Sequence, residues 1–299
     1  MEICGQSIKT RGHFVKVARL DADMFQFLDQ PAEQIDAGLA KLKGRADLFT
    51  FLQRLPETKP LYPYAMEWDN FAGLEISTFE NWWTKQIGFK ARNKAKQAEK
   101  KGVVLREVDL SRELVEGIWS IYNETPIRQG RRFPHFGKSL ETVYREEATY
   151  LDSSVFVGAY FDARLIGFIK LVFDQTRTQA GLMNIVSLVS QRDKAPTNAL
   201  VAAAVRSCAD RGVRYLTYSR FAYGKKQTDS LSDFKERNAF KRIDVPRYYI
   251  PLTAKGRIAL KYGLHRPVSE QVPEAVASRL RDLREAWYRR KYSTAYEVS

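Results

Sequence analysis

The chain has 299 residues, which is enough for one large domain or two small ones with a sizeable core. Its composition, 44% hydrophobic and 28% charged, excludes a wholly disordered protein. Lys and Arg number 49 against 35 Asp and Glu, so the formal net charge is +14 and the protein attracts anions. That charge does not choose among nucleic acid, a phosphorylated cofactor and acidic lipid.

Cysteine and histidine are too sparse for a disulfide framework or a zinc site. Cys4 and Cys208 are the two cysteines, and His13, His135 and His265 are the three histidines. Their separation gives no zinc-ligand spacing. We therefore expect no metal.

The sequence lacks the apolar run that a signal peptide or a membrane span needs. The N-terminus carries charges among its first residues, and the longest apolar stretch runs only from Ala199 to Val205. We expect a soluble cytoplasmic protein with no membrane span; the pattern does not predict its oligomeric state.

In the first half, short strands alternate with helices. The predicted elements are a strand pair around Ile8 to Leu20, a helix over Ala32 to Leu42, strands Leu48 to Leu52 and Ala65 to Ile76, a basic helix over 79–101, a strand Val103 to Val108, and helices Glu113 to Thr125 and Ser139 to Leu151. Gly102 ends the basic helix. The Arg- and aromatic-rich segment TPIRQGRRFPHFGK is predicted to be a loop.

From Ser154 the pattern changes to three β-rich runs, SVFVGAYF, ARLIGFIKLVF and AGLMNIVSLV. An Ala-rich helix, Thr197 to Arg211, follows, and then the strand VRYLTYSRF, the short helix SDFKERNAF and the strand IDVPRYYIPL. Helices near Lys255 to Tyr262 and Glu274 to Lys291 close the chain. We predict an α+β (mixed α/β) fold, with an N-terminal half over 1–150, a core over 151–252 and a helical extension over 253–299.

That order of elements resembles the core of the GNAT superfamily of N-acyltransferases. The corresponding pieces are Ser154 to Val189, QRDKAPTNALVAAAVRSCADRG, YLTYSRF and SDFKERNAFKRIDVPRYYIPL. In that family, three antiparallel strands lead to a helix whose N-terminus holds the pyrophosphate of acyl-CoA. The last strand here follows Ala239, where the family usually has Gly.

A closer resemblance is to the Fem-like branch, which transfers amino acids from aminoacyl-tRNA to peptidoglycan precursors. FKARNKAKQAEKKGVVLREV is similar to a segment of that branch, and Phe234-Lys235 lies where the branch has a Phe-Lys pair. The lysine of that pair is implicated in handling the transferred acyl group. The resemblance covers roughly residues 80 to 250 in short patches, and two GNAT-like halves, as in Fem-like proteins, remain an open alternative.

The loop before the Ala-rich helix departs from the GNAT pattern. It reads Gln191-Arg192-Asp193-Lys194-Ala195-Pro196-Thr197-Asn198, without the usual glycines. Missing glycines limit the approach of backbone to a pyrophosphate. The donor can therefore be acyl-CoA or aminoacyl-tRNA, with added weight on the latter.

Three groups of candidate site residues follow, each of which could instead be a solvated or core residue. The helix start and its loop supply donor-binding candidates, because free amides and basic side chains attract an anion: Ser190, Gln191, Arg192, Lys194, Thr197, Asn198 and Phe234. For catalysis, the resemblance suggests Lys235 as an oxyanion donor, and strand tyrosines could act as general acids: Tyr218, Tyr223 and Tyr248.

The third group is basic and could bind tRNA phosphates or the acceptor. It comprises Lys90, Arg92 and Lys94 of the basic helix and Arg128, Arg131 and Arg132 of the loop.

We therefore predict an acyl- or aminoacyltransferase that acts on a small-molecule or peptide amine, with tRNA as a potential partner. The alternative is a nucleic-acid-binding protein on a degenerate, inactive GNAT-like fold, which the charge and the glycine-free loop also fit. Divergence of two strands after residue 154 is the feature on which the transferase prediction depends.

Overall fold

A computed structural model describes residues 1–128, 131–222, 230–266 and 274–292. The strands are β1 (Glu2–Ile3), β2 (Gln6–Arg11), β3 (Val17–Leu20), β4 (Leu48–Leu52), β5 (Ala65–Glu75), β6 (Val104–Val108), β7 (Ile127–Arg128), β8 (Arg131–Arg132), β9 (Ser154–Phe161), β10 (Arg164–Phe173), β11 (Gln179–Ser187), β12 (Tyr215–Arg220) and β13 (Lys241–Pro251). The α-helices are α1 (Ala32–Leu39), α2 (Phe79–Asn81), α3 (Phe89–Lys100), α4 (Arg112–Tyr122), α5 (Leu140–Glu147), α6 (Pro196–Asp210), α7 (Ser230–Arg237), α8 (Ala254–Lys261) and α9 (Glu274–Lys291).

Eleven strands of the described residues form one mixed sheet. Its order is β1-β2-β3-β4-β13-β5-β12-β11-β10-β9-β6, and β7 pairs separately with β8. Neighbours are antiparallel except β3 with β4 and β11 with β12, which are parallel. Strand β13 lies between β4 and β5, so residues 1–150 and 151–252 share this sheet. The mixed α/β fold is confirmed, and the division into three domains stays a prediction.

Helices cover the sheet because their apolar residues recur at helical spacing. In α6, Leu200, Val201, Ala204 and Val205 are buried against the strands. Gly167 of β10 lets α6 approach closely, because a Cβ at that position would lie 3.2 Å from a methyl carbon of Leu200. A smaller core joins α1 to β3 and β4. The larger core thereby fixes the start of α6 beside the end of β11.

The predicted continuous helix over 79–101 is wrong, because the helix breaks at Ile87 and Gly88. A π-helical turn over Trp82–Gln86 follows α2, and Ile87 and Gly88 have extended backbone before α3 begins. The Gly88 N–H donates to the carbonyl of Arg237 at 2.8 Å, and a Cβ at Gly88 would lie 3.0 Å from that oxygen. The break therefore joins the start of α3 to the end of α7.

Within the described ranges, no helix is both long enough and apolar enough to cross a bilayer.

Candidate active site

The sheet opens where β11 and β12 diverge. These strands pair over three positions only, ending at Gly181 opposite Thr217. Beyond that point β11 continues beside β10, with a β-bulge that leaves Met183 without an opposite residue. In β12, Ser219 has a φ of +52°, which a non-glycine residue rarely adopts. The predicted divergence of two strands is confirmed.

A cleft of about 990 Å³ occupies this opening. The end of β11, the first turn of α6, one face of α3 and the segment 131–134 line it. Ten of the sequence-predicted residues are in this lining: Lys90, Lys94, Arg128, Arg131, Arg132, Arg192, Thr197, Asn198, Tyr218 and Phe234. Arg237 of α7 joins them, and every charged residue in the described lining is basic. The cleft therefore favours an anionic ligand.

The first turn of α6 lines this cleft. Ala195, at a φ of +53°, precedes Pro196, and no side chain caps the helix start within the described residues. Proline at the first position has no N–H to leave unpaired, so Thr197 and Asn198 present the next amides. The Thr197 hydroxyl also lies 2.9 Å from that of Ser187, which ties α6 to β11. This arrangement suits a phosphate or carboxylate.

The carboxylate of Glu124 contacts the loop that precedes α6. Glu124 accepts hydrogen bonds from the backbone N–H groups of Val189 (2.6 Å) and Ser190 (2.9 Å). Sequence reasoning did not single out Glu124, because nothing in the local sequence distinguishes it from the other acidic residues of the chain. The Ser190 predicted for donor binding is therefore directed to Glu124.

Arg128 holds the same corner from the side. Its guanidinium donates to the carbonyls of Ser187 (2.6 Å) and Ile121 (2.8 Å) and lies 3.4 Å from Glu124. Arg128 therefore lines the cleft while its described hydrogen bonds brace the end of β11 against α4.

Besides Ser190, three of the predicted binding residues lie outside the cleft lining. The Arg92 guanidinium donates to the carbonyl of Trp83 at 3.2 Å, so it supports the break before α3. The Lys194 ammonium lies 4.5 Å from the ring centroid of Phe161. Gln191 is half-buried in the loop. Their prediction rested on position in the sequence, which does not fix side-chain direction.

Lys235 lies directly behind Tyr218. The Lys235 side chain is fully buried, and its ammonium donates to the carbonyl of Arg220. That ammonium is 4.8 Å from the centroid of the Tyr218 ring, which lines the cleft. Lys235 thus contacts the cleft wall from inside the protein.

Of the other two catalytic candidates, Tyr248 is not brought to the cleft. Tyr248 is buried in the smaller core, where its hydroxyl donates to Gln53 (2.6 Å) and accepts from the Leu61 N–H (2.7 Å). Tyr223 lies outside the described residues.

A buried polar group that sequence reasoning missed lies under α4 and α5. Glu147 accepts hydrogen bonds from the Tyr122 hydroxyl and the Asn184 amide, both at 2.9 Å, and burial raises the pKa of Glu147. Lys170 donates to the carbonyls of Glu147 and Thr149, and burial lowers its pKa to about 8. The lone lysine in the apolar run LIGFIKLVF was the available signal.

No protein-family model matches this sequence, and no curated protein does either. Solved structures do match. The C-terminal domain of an Agrobacterium fabrum protein assigned as a lysylphosphatidylglycerol synthetase is 14% identical, with 86% of this chain and 84% of that chain covered and a TM-score of 0.57. L-PGS from Bacillus licheniformis is 13% identical, with 81% and 80% covered and a TM-score of 0.55. FemX is 10% identical, with 86% of each chain covered and a TM-score of 0.56. At these identities the likeness concerns the fold alone. The chain therefore has a GNAT-like fold of the kind seen in FemX and L-PGS, as the resemblance of its sequence implied.

Proposed function

We propose that the chain is an aminoacyltransferase that moves an aminoacyl group from aminoacyl-tRNA to an amine. One observation carries the proposal: the diverging strands β11 and β12 open a cleft whose described charged lining is entirely basic. A cleft of this kind admits a reactive carbonyl at its base and attracts a polyanion at its rim.

The loop geometry favours aminoacyl-tRNA over acyl-CoA. A pyrophosphate needs free backbone amides, and Glu124 already accepts those of Val189 and Ser190. A carboxylate at this place also repels a second anion. A tRNA 3′ end instead carries separate phosphates, which Lys90 and Lys94 of α3 can contact across the cleft.

The reaction requires one proton transfer in each direction. The amine attacks the ester carbonyl, a C–N bond forms, and the C–O bond to the ribose breaks. In our proposal, the Tyr218 hydroxyl gives its proton to the departing ribose oxygen and regains one from the attacking nitrogen. Lys235 acts as a positioning residue, because it holds the Arg220 carbonyl and the Tyr218 ring from behind.

The test is a transfer assay with the full chain. Labelled aminoacyl-tRNAs and, in parallel, labelled acyl-CoAs are offered with a panel of amine acceptors. We expect label to move from aminoacyl-tRNA into an amide. Transfer from acyl-CoA alone would overturn the choice of donor.

The second candidate is a nucleic-acid-binding protein on an inactive transferase fold. The observation that favours it is Lys235, which is buried and bonded to the Arg220 carbonyl rather than placed in the cleft lining. Salt-dependent tRNA binding without transfer from any donor would support this candidate.

A further inference from the structure

Helix α9 presents an apolar stripe to solvent. Val276, Leu280, Leu283 and Trp287 recur at intervals of four, three and four residues, which places them on one helix face. Their exposed fractions are 49%, 57%, 68% and 53%. A helix that packs on its own core buries such a stripe, so this face of α9 is left without an apolar partner among the described residues.

The more buried side chains of α9 lie on another face. Glu285, Tyr288 and Tyr292 are half-buried. At about 100° per residue, they project more than about 100° around the helix axis from the midline of the stripe. Among the side chains of α9 that the structure describes, those away from the apolar stripe are therefore the more covered, which reverses the arrangement of an ordinary surface helix.

Exposed basic residues flank the stripe on both sides. At about 100° per residue, Arg279 and Arg290 project along one border and Arg284 and Lys291 along the other. The described acidic residues of the helix, Asp282 and Glu285, project more than about 120° away from the stripe. The apolar face thus has cationic borders only.

We propose that α9 binds in the plane of an anionic phospholipid bilayer, with its apolar stripe among the acyl chains and its basic borders at the headgroups. Long basic side chains bury their stems and keep their charges at the headgroups. The Trp287 indole, 4.7 Å from the Lys291 ammonium, suits the interface between acyl chains and water. RNA would pair the arginines but leave Leu280 and Leu283 in water, and a second copy of this face would bring like charges together. The inference does not depend on the transfer reaction.

The experiment is flotation of the full chain with vesicles of phosphatidylcholine, alone or mixed with phosphatidylglycerol. We expect the chain to float only with the mixed vesicles, and salt to weaken its binding. The Leu280→Gln/Leu283→Gln variant should bind about a hundredfold more weakly, because each buried leucine contributes roughly a factor of ten. The matched control is Leu151→Gln/Ile258→Gln, which removes two exposed apolar residues elsewhere, 43% and 55% exposed.

A second readout locates the contact on α9. Mixed vesicles should shift the tryptophan emission of the wild type to shorter wavelength, and Trp287→Phe should remove that shift. Unchanged flotation of the α9 variant would overturn the proposal. The proposal would also be overturned if the wild type failed to float and the α9 variant lost tRNA binding or self-association instead.

Discussion

The carboxylate of Glu124 accepts hydrogen bonds from both the backbone N–H and the hydroxyl of Ser190, at 2.9 Å and 2.7 Å. Ser190 begins the loop that leads into α6, so this pair places a fixed negative charge next to the start of that helix. The loop is thereby stabilised without any ligand, and the N–H groups of Val189 and Ser190 are not available to one.

Removal of the Glu124 carboxylate should expose that loop to external anions. Glu124→Ala leaves the N–H groups of Val189 and Ser190 without an acceptor, so we expect a loss of about 1–3 kcal/mol in the free energy of unfolding. We also expect coenzyme A to raise the melting temperature of this variant and not that of the wild type. Glu116→Ala is the control, because Glu116 lies on α4, shortly before Glu124 in the chain, and pairs only with Arg112 in the described contacts. Stabilisation of the wild type by coenzyme A would contradict the prediction.

Tyr218 and Lys235 should act as one unit in transfer. Tyr218→Phe keeps the ring and removes the proton donor, so kcat should fall by about 100- to 10,000-fold. Lys235→Met should also lower kcat, but should add little in the Tyr218→Phe background, because Lys235 acts through Tyr218. Single-turnover rates of the four proteins, measured well below their melting temperatures, complete the cycle.

The control for that cycle is Tyr215→Phe, because Tyr215 lies on the same strand, β12, but outside the lining of the cleft. Its kcat should equal that of the wild type. Rate losses at Tyr218 and Lys235 that simply multiply would show that the two residues act independently.

Two lysines of α3 should differ in their effect on tRNA. Lys90 lines the cleft and Lys96 does not, although both are exposed on one helix. Lys90→Ala should weaken binding of aminoacyl-tRNA and reduce the slope of log affinity against log salt by about 1. Lys96→Ala should change neither quantity. Equal effects at both positions would point to diffuse attraction by the net charge.

Stability should decrease below neutral pH because of His135. Its ring stacks on Tyr122 at 4.2 Å, and burial, followed by the nearby Lys138 ammonium, lowers its pKa from 6.5 to about 4; Arg128 acts in the same direction and Glu146 opposes it. As the pH falls, His135 therefore takes up a proton near pH 6.5 in the unfolded chain but only near pH 4 in the folded chain. Protonation favours the unfolded chain between these two values, so stability is lost as the pH falls from about 6.5 to about 4.

The free energy of unfolding of the wild type should fall by about 1–2 kcal/mol more between pH 7 and pH 5 than that of His135→Gln. Denaturant unfolding at each pH measures the difference. His13→Gln is the control, because His13 is exposed. An identical pH dependence in wild type and His135→Gln would show that the histidine is not buried in its neutral form.

The local sequence pattern was enough to predict the strands and helices from Ser154 onward. Each apolar run there has the periodicity of a strand or a helix and is bounded by turn-forming residues. The local pattern could not predict which strands pair over long range. Nothing in the sequence near Lys241 indicates that β13 lies between β4 and β5. The break at Gly88 likewise depends on the distant carbonyl of Arg237.

Side-chain direction limited the prediction of the site. In RYYIP, alternation along a strand puts Tyr248 and Tyr249 on opposite faces but does not say which face is the core. Lys235 belongs to the charged sequence FKER of α7, yet its side chain is fully buried and its ammonium donates to the Arg220 carbonyl at the end of β12. The basic residues of the cleft were easier to predict from the sequence. Exposed charges on one face of a helix and on one loop come together wherever that helix and that loop meet.

The three residue pairs between β11 and β12 divide the strands of the sheet into two blocks. They are the sole ladder in the described sheet that joins the seven strands from β1 to β12 with the four strands from β11 to β6. Anything seated in the opening touches both blocks, Tyr218 on one and Leu188 at the end of the other. The spacing of the reacting groups therefore depends on how the two blocks are held against each other, and on Arg128 and Glu124, which fix the end of β11 within its own block.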